Sequence, residues 1–291
     1  FLKETPLHYA YHIDAGRYAT FLRQLAEPEG VTRVEGIVRE VLQREDGAIK
    51  SIVLESDQVI EGDFFVDCTG FAGLLIEKTL KTEFETWQHW LPCDRAIAVQ
   101  TAATEAPIPY TRSIAHGFGW QWRIPLQERV GNGLVFSSEH VSDDEAHATL
   151  MSNLSGETLI EPRLIRFKTG QRRQHWRKNC VAIGLSAGFL EPLESTSIHL
   201  IQRAIIRLMQ LFPHDGNQES ERDEFNRQMH EEFELVRDFI ILHYHATERD
   251  DTRFWRHVSS MVIPETLKQK IKLFRQAGNI FQNVADVFGE N

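Results

Sequence analysis

The chain has 291 residues, of which 42% are hydrophobic and 25% are charged, an ordinary composition for one large globular domain or two small ones. Thirty-two basic against 42 acidic residues give a net charge of −10, which argues against nucleic acids or anionic membranes as partners. No apolar run approaches the length of a membrane span, and no signal-peptide pattern is present. Because the three cysteines are far apart, we expect no disulfide framework and a cytoplasmic location.

The first part of the sequence predicts a helix and then a strand-rich region. Asp14 is a suitable N-cap for a helix whose apolar residues share one face, namely Tyr18, Phe21, Leu22 and Leu25. Asp46-Gly47 separates two apolar stretches and is a strong signal for a hairpin turn. A further apolar stretch ends at Phe64-Phe65-Val66, and residues 95–180 mix short strands with turns that contain proline and glycine.

Helices are predicted from about residue 195 onward, because apolar residues recur every three or four positions. They form two runs: Ile198, Ile201, Ile205, Leu208 and Phe212, and then Phe225, Met229, Phe233, Val236 and Ile240. A last helix is predicted to begin at Pro264-Glu265 and to end at Gly278. The pattern favours an α/β (or α+β) fold. We expect a core over residues 1–212, with a sheet region at 71–180, and a helical C-terminal part over 213–291.

Residues 184–197 form the most informative motif. An apolar strand, Cys180 to Ile183, leads into a small-residue turn at Gly184–Gly188, and a helix begins behind Ser195-Thr196-Ser197. A strand, a tight turn and a helix N-terminus are how α/β proteins hold anionic or electron-rich ligands, since the helix end offers backbone N–H groups. An ordinary capped core helix explains the motif about equally well.

Gly184-x-Ser186-x-Gly188 also matches the nucleophile elbow of α/β-hydrolases, so a serine hydrolase using Ser186 is an alternative. That elbow requires a helix directly after the serine, whereas Pro192 disfavours a helix at the residue before it. His243 or His245 could supply the base, but no acid partner can be singled out.

Two further motifs lie earlier in the chain. Asp67-Cys68-Thr69-Gly70 follows an apolar strand, as expected where a strand ends beneath a bound dinucleotide, although a plain exit from the strand is the simpler explanation. In Trp120-x-Trp122-x-Ile124-Pro125 the two tryptophans alternate with other residues, so both lie on one face of a strand that the Ile-Pro pair ends.

A histidine-rich stretch, His243-Tyr244-His245, precedes Arg249-Asp250-Asp251 and Thr252-x-Phe254-Trp255. His-x-His followed by carboxylates could suggest a metal site. A helix end rich in hydrogen-bonding groups explains the stretch better, because no other cluster of ligands accompanies it, and no metal is predicted.

Together these four separated motifs resemble the flavin-dependent tryptophan halogenases, in which Trp-x-Trp-x-Ile-Pro is a recognised signature thought to keep substrate away from the flavin. The resemblance implies an FAD-binding flavoprotein-monooxygenase-like domain whose 71–180 sheet region faces the substrate. It implies that reduced FAD, supplied by a separate flavin reductase, uses O2 and chloride or bromide to halogenate an electron-rich aromatic such as the indole of tryptophan. A flavin-dependent aromatic monooxygenase has the same fold and is the nearest alternative.

The resemblance also assigns residues. Glu194 matches the catalytic glutamate, and Thr196 and Ser197 match the positions whose backbone N–H groups bind halide, although the family usually has glycine at the second. Ser197 would therefore be uncomfortable if that position required a positive φ. Flavin contacts are expected at Leu185 and Ile198, at the small residues Gly70, Gly184 and Ser186, and on the adenine side at a strand containing Val34 or Glu35.

Two parts of the family's machinery have no counterpart in the sequence. No Gly-x-Gly-x-x-Gly follows a first strand, and the family's catalytic lysine belongs to an N-terminal part that lies outside these residues. We therefore expect the 291 residues alone to be inactive and a longer chain that contains them to halogenate. Substrate, halide preference and a homodimeric assembly are left open.

Overall fold

The computed structural model describes residues 9–213 and 219–279, so the predicted helical positions at 214–218 and 280–291 lie outside the described residues. Within those ranges two α-helices accompany the strands and the remaining α-helices follow the last strand, which confirms the mixed α/β fold. The elements are α1 (Ala15–Ala26), β1 (Val38–Gln43), β2 (Ile49–Leu54), β3 (Val59–Glu61), β4 (Phe65–Asp67), β5 (Phe84–Thr86), β6 (Arg95–Ala102), β7 (Arg112–His116), β8 (Gly119–Pro125), β9 (Arg129–Phe136), α2 (Asp143–Ser152), β10 (Arg163–Arg166), β11 (Gly170–Arg172), β12 (Trp176–Arg177), β13 (Cys180–Ala182), β14 (Gly188–Phe189), α3 (Ser197–Gln210), α4 (Glu219–His245), α5 (Arg253–Ser260) and α6 (Glu265–Ala277).

Helix α1 begins where the sequence predicts. The Asp14 carboxylate accepts hydrogen bonds from the backbone N–H groups of Gly16 and Arg17 at 3.0 and 3.1 Å, which satisfies two of the donors that a helix start leaves free. None of the α1 residues is buried, and the apolar face that contains Phe21 and Leu25 is exposed. The predicted helix is confirmed, and its apolar face has no cover among the described residues.

Strands β1, β2 and β3 form an antiparallel sheet with the predicted turn at Asp46-Gly47. The side chain of Asn179 attaches this sheet to the rest of the fold. Its amide oxygen accepts from the Ile49 backbone N–H at 2.9 Å, and its amide nitrogen donates to the carbonyls of Ile49 and Asp63 at 2.8 and 3.0 Å. The hairpin is therefore fixed directly beside β13.

The five-stranded antiparallel sheet, in the order β10-β6-β9-β8-β7, contains the predicted tryptophan strand as β8. The indole rings of Trp120 and Trp122 lie 6.0 Å apart between centroids, as expected for alternate residues on one face. Trp122 crosses the neighbouring strand at Gly133, where a Cβ atom would lie only 2.0 Å from the indole ring. Glycine at this position makes room for the tryptophan.

Strands β4 and β13 run parallel in a three-stranded sheet of order β12-β13-β4. Their register pairs Cys180 with Phe65 and Ala182 with Asp67, so both strands end at the same edge of the sheet. Because ligands of α/β proteins bind beyond the carboxyl ends of parallel strands, the loops after Asp67 and Ala182 occupy the position where a cofactor is expected.

Helices α3 and α4 pack beside this sheet and share its hydrophobic core. The predicted run on α4 is buried throughout, from Phe225 to Ile240. On α3 the buried residues are Leu200, Ala204, Arg207 and Leu208. Of the predicted run Leu208 is buried and Ile201 packs against the core, whereas Ile198, Ile205 and Phe212 are exposed, so the run marks the core face of this helix only in part. Helix α6 begins after Pro264 and ends at Gly278, as predicted. No helix in the described ranges is long and apolar enough to cross a membrane.

Candidate active site

The loops that follow β4 and β13 lie against each other at the sheet edge. The backbone N–H of Ile183 donates to the carbonyl of Asp67 at 3.0 Å, which joins the two loops at their start. The side chain of Asp67 is fully buried and organises the first loop. Its carboxylate accepts from the N–H groups of Leu75 and Ile76, each at 2.8 Å, and from the backbone and hydroxyl of Thr69. Four donors offset the cost of burying this carboxylate and fix the path of the loop around Gly70.

Ser186 cannot act as a nucleophile, so the serine hydrolase alternative is wrong. Its side chain is fully buried, and its hydroxyl lies 2.5 Å from the Asp67 carbonyl and 3.0 Å from the Ile183 carbonyl. The turn Gly184–Ser186 is a short 3-10 helix followed by strand β14, whereas a nucleophile elbow requires a helix directly after its serine. The hydroxyl instead ties the second loop to the first.

One pocket brings together residues predicted to contact flavin and residues predicted to bind halide. It is lined by Gly184, Leu185, Thr196 and Ser197 and by apolar side chains from α3 and α4, among them Ile201 and Phe233. Leu185 and Ile198 are exposed beside it, and Gly184 has a φ of 75°, a conformation that glycine adopts without strain. Two residues expected to contact flavin, Gly184 and Leu185, therefore line the same pocket as the two expected to bind halide.

Gly70 lies on the adjoining loop with its Cα facing open space, since a Cβ atom there would meet nothing within 4 Å. Val34 and Glu35, in contrast, are not in a strand, because residues 31–37 have no regular structure and β1 begins at Val38. Val34 is exposed, and Glu35 pairs with Arg33. The prediction that a strand carries Val34 or Glu35 is wrong: this segment joins no ladder of described strands.

Helix α3 presents free backbone donors at its N-terminus. The N–H of Ser195 donates to the Pro192 carbonyl at 3.1 Å, but the N–H groups of Thr196 and Ser197 donate to no other residue in the part of the chain that the structure describes. The positive φ in this segment belongs to Ser195, at 55°, and Ser197 is the first helical residue. The expected strain at Ser197 is therefore absent, because the left-handed position lies two residues earlier.

Glu194 ends the turn before α3, and its carboxylate is paired with a histidine that the sequence did not assign to the site. His243 Nε2 lies 2.9 Å from Glu194 Oε1, and His243 Nδ1 lies 2.8 Å from the carbonyl of Phe239 one turn earlier in α4. The hydrogen bond to Glu194 raises the pKa of His243, and partial burial opposes the rise. Both side chains remain about one-third exposed.

A second glutamate of the same turn, Glu191, is fully buried. Its Oε2 accepts hydrogen bonds from the Tyr244 hydroxyl at 2.6 Å and from the Trp120 indole N–H at 3.1 Å, and the Cys93 thiol lies 3.8 Å from the same hydroxyl. Burial raises the pKa of Glu191 to about 7, although the bonds from Tyr244 and Trp120 act against the rise. Consecutive residues of α4, His243 and Tyr244, thus hold the two glutamates of one turn.

This network gives the tryptophan signature a structural function. Trp120 is only 3% exposed and its N–H is engaged with Glu191, so it belongs to the core, whereas Trp122 is partly buried. Ile124 is half-buried near the end of β8, and Pro125 is buried there with its carbonyl 2.9 Å from His12 Nδ1. The indole ring that remains partly accessible on β8 is that of Trp122.

The stretch from Arg249 to Trp255 also has structural partners. Thr252 caps α5 through Trp255, the Trp255 indole N–H donates to the His116 carbonyl at 2.8 Å, and Arg249 pairs with Asp251. In the described ranges no three His, Cys, Asp or Glu side chains come together as metal ligands would.

A family model described as tryptophan halogenase matches residues 2–291, and the chain belongs to that family. It is 39% identical to the tryptophan 6-halogenase SttH of Streptomyces toxytricini, over 94% of this chain and 53% of the relative. It is 38% identical to the tryptophan 7-halogenase RebH of Lentzea aerocolonigenes, over 92% of this chain and 52% of the relative. The chain therefore spans about half the length of the curated relatives it matches.

Solved structures agree with this family. The structure of Xcc4156, a flavin-dependent halogenase from Xanthomonas campestris, matches with a TM-score of 0.93 and 51% identity over 96% of this chain and 57% of that one. BrvH, a flavin-dependent halogenase from Brevundimonas sp. BAL3, matches with a TM-score of 0.92 and 50% identity, with the same coverage of 96% and 57%. The fold expected from the motifs is confirmed.

Proposed function

We propose that the full-length protein containing this sequence is an FADH2-dependent halogenase that chlorinates or brominates an electron-rich aromatic such as an indole. The observation that carries the proposal is the meeting of three features at one sheet edge, in a chain of this family. These are the paired loops after β4 and β13, the free N–H groups that begin α3, and the paired carboxylate of Glu194.

The residues present fit an FAD. Gly70 and Gly184 lie on loops at the carboxyl ends of two parallel strands, where backbone can approach a dinucleotide closely, and Leu185 and Ile198 offer exposed apolar contacts. Ser186 holds these loops together, which supports its assignment to the cofactor side as a buried positioning group. When bound, reduced FAD would activate O2, and O2 is the oxidant that would convert halide into an electrophilic halogen.

The N-terminus of α3 supports a halide site. Two successive N–H groups that have no acceptor among the described residues, at the positive end of a 14-residue helix, favour a bound anion. Thr196 is buried, and both Thr196 and Ser197 line the apolar pocket, where few water molecules would compete for the donors. Because the donors are backbone groups, the serine at position 197 serves as well as glycine would.

Glu194 is proposed to accept the proton that the aromatic ring releases. When halogen replaces hydrogen, a carbon–halogen bond forms, the C–H bond breaks, its electron pair restores the aromatic system, and the proton passes to a carboxylate oxygen. The Glu194 carboxylate is part of the turn that leads into α3, so base and halide donors are separated by one or two residues.

The remaining features of the complete system are proposals of the same kind. A separate flavin reductase would supply reduced FAD, and a homodimer is left to direct measurement. A cytoplasmic location is consistent with three unpaired cysteines, Cys68, Cys93 and Cys180. A monooxygenase of the same fold is the competing function, and the Trp120-x-Trp122 strand together with Glu194 favours halogenation over it.

The test is product formation by the full-length protein with FAD, a flavin reductase and NADH, O2, bromide and indole, followed by mass spectrometry. We expect brominated indole from the wild type and at least a 100-fold lower rate from Glu194→Gln, with FAD binding retained. Hydroxylated indole without bromination would instead identify a monooxygenase. Wild-type rates in Glu194→Gln would refute the role of this carboxylate.

A further inference from the structure

The contact between His243 and Glu194 fixes the number of protons that the two groups share. A backbone carbonyl only accepts hydrogen bonds, so the 2.8 Å contact of Nδ1 with the Phe239 carbonyl places a hydrogen on Nδ1. In neutral imidazole Nε2 then carries a lone pair, and at 2.9 Å that lone pair would face the lone pairs of a carboxylate. The contact is attractive only when one further proton lies between the two atoms.

We propose that His243 is a positioning residue for Glu194. His243 shares one proton with Glu194 across the Nε2–Oε1 contact and so orients the Glu194 carboxylate, which takes the proton from the substrate. The assignment rests on the proposed halogenase function and extends it. The shared proton lies either on Nε2, as imidazolium and carboxylate, or on Oε1, as neutral imidazole and carboxylic acid. In both arrangements the pair has no net charge.

The His243–Glu194 pair can take up the substrate proton and return to its starting state in each turnover. When the ring C–H bond breaks, its proton binds the free Glu194 oxygen, and the pair briefly holds two protons. The imidazolium then loses the carboxylate charge that stabilised it, and its proton leaves for solvent, to which the His243 side chain is 37% exposed. The pair returns to one proton, so Glu194 is again a base for the next turnover.

Among the described residues, Glu194 is the carboxylate that pairs with His243. The Glu194 carboxylate and the Phe239 carbonyl favour the charged imidazole, and burial opposes it. The ring of Phe239 meets the imidazole edge-on at 4.8 Å between centroids and contributes no charge. The neighbouring Tyr244 hydroxyl is directed to Glu191, so the Glu191 network and the Glu194 pair have separate donors.

The first experiment measures the shared proton without any turnover. The full-length protein is prepared with isotope-labelled histidine, and the imidazole NMR signal of His243 is assigned by its loss in His243→Gln. We expect this signal to titrate at a higher pH in the wild type than in the Glu194→Gln variant. Exposed His147, on α2, is the matched reference, and its signal should be unaffected by the substitution at position 194. An unchanged titration of His243 in Glu194→Gln would overturn the proposal.

The second experiment separates a proton role from a merely structural one. Glutamine at position 243 can still donate to Glu194 but cannot titrate, whereas phenylalanine removes the donor and keeps a ring. In the wild type, kcat should fall at alkaline pH, because loss of the shared proton leaves the Nε2 lone pair facing the carboxylate and Glu194 is no longer oriented. We expect His243→Gln to bind FAD normally, to lower kcat for bromination of indole by roughly 10- to 100-fold with little change in KM, and to show no such alkaline fall. His243→Phe should be at least as slow, and His147→Gln should behave as the wild type.

The results distinguish failure of the His243 assignment from failure of the proposed halogenase function. Wild-type kcat and pH profile in His243→Gln, beside normal bromination by the wild type, would overturn the role of His243 and leave the proposed function intact. No bromination by the wild type would overturn the proposed function and with it the catalytic part of the His243 assignment, while the NMR titration would still decide whether the proton is shared.

Discussion

Replacing Glu191 with glutamine changes one buried group whose ionisation opposes folding. The glutamine oxygen can accept the same bonds from Trp120 and Tyr244, at positions where the carboxylate accepts them at 3.1 and 2.6 Å. The other carboxylate oxygen, Oε1, has no hydrogen-bond partner in the described structure, so the new amide nitrogen replaces an unsatisfied atom. The substitution therefore removes the charge and keeps the contacts.

The size of the effect follows from the pKa of Glu191, which burial raises from 4.5 to about 7. Between these two values the folded protein holds a proton that the unfolded chain has released, so the free energy of unfolding falls as pH rises through this window. At about 1.4 kcal/mol for each pKa unit, wild type loses roughly 3 kcal/mol that the glutamine variant does not lose.

The assay is urea unfolding of the full-length wild type and Glu191→Gln at about pH 5 and about pH 8. We expect the stability of the variant relative to wild type to increase by roughly 3 kcal/mol between the two conditions. Glu55→Gln, which alters an exposed glutamate, should show no such change. If the free energies of unfolding of wild type and Glu191→Gln changed equally with pH, Glu191 would not hold a proton in the folded protein, and the reasoning would be refuted.

Substitutions at three further positions test other parts of the structure. Ser197→Pro removes a backbone donor at the first helical position, where proline is tolerated, and should raise the bromide KM at least tenfold, whereas Ser197→Ala should leave it unchanged. Equal bromide KM values in the two variants would exclude this donor. Gly133→Ala should displace Trp122, whose ring would lie 2.0 Å from the new Cβ, and should shift the tryptophan fluorescence of the folded protein. An unchanged spectrum would contradict the packing. Asp67→Asn should cost about 3 kcal/mol of stability and weaken FAD binding, because an amide cannot accept from four donors; equilibrium unfolding and flavin titration check both.

Elements with local signals were predictable from the sequence. The hairpin at Asp46-Gly47, the tryptophan strand and the cap at Asp14 depend on neighbouring residues, and all three are present. The period of three to four residues located α3 but only part of its buried face, at Leu208 and Ile201. Ile198 and Ile205 follow the period and are exposed, because burial depends on which other elements pack against the helix.

The contacts that complete the site have no local signal. Glu194 and His243 belong to different elements, and nothing in the spacing of either motif indicates that Nε2 meets Oε1. A glutamate beside a proline is typical of an exposed turn, whereas the burial of Glu191 arises from its contacts with Trp120 of β8 and Tyr244 of α4. The family resemblance supplied Glu194, Thr196 and Ser197, and the structure adds the partners of the glutamates.

Crystals of the full-length protein with FAD and bromide would test the central claim most directly, through the anomalous diffraction of bromine. We expect a bromide peak within hydrogen-bonding distance of the Thr196 and Ser197 nitrogens, with flavin against the loops that contain Gly70 and Gly184. Flavin bound away from these loops, or bromide held elsewhere while the α3 N-terminus remains free, would contradict it.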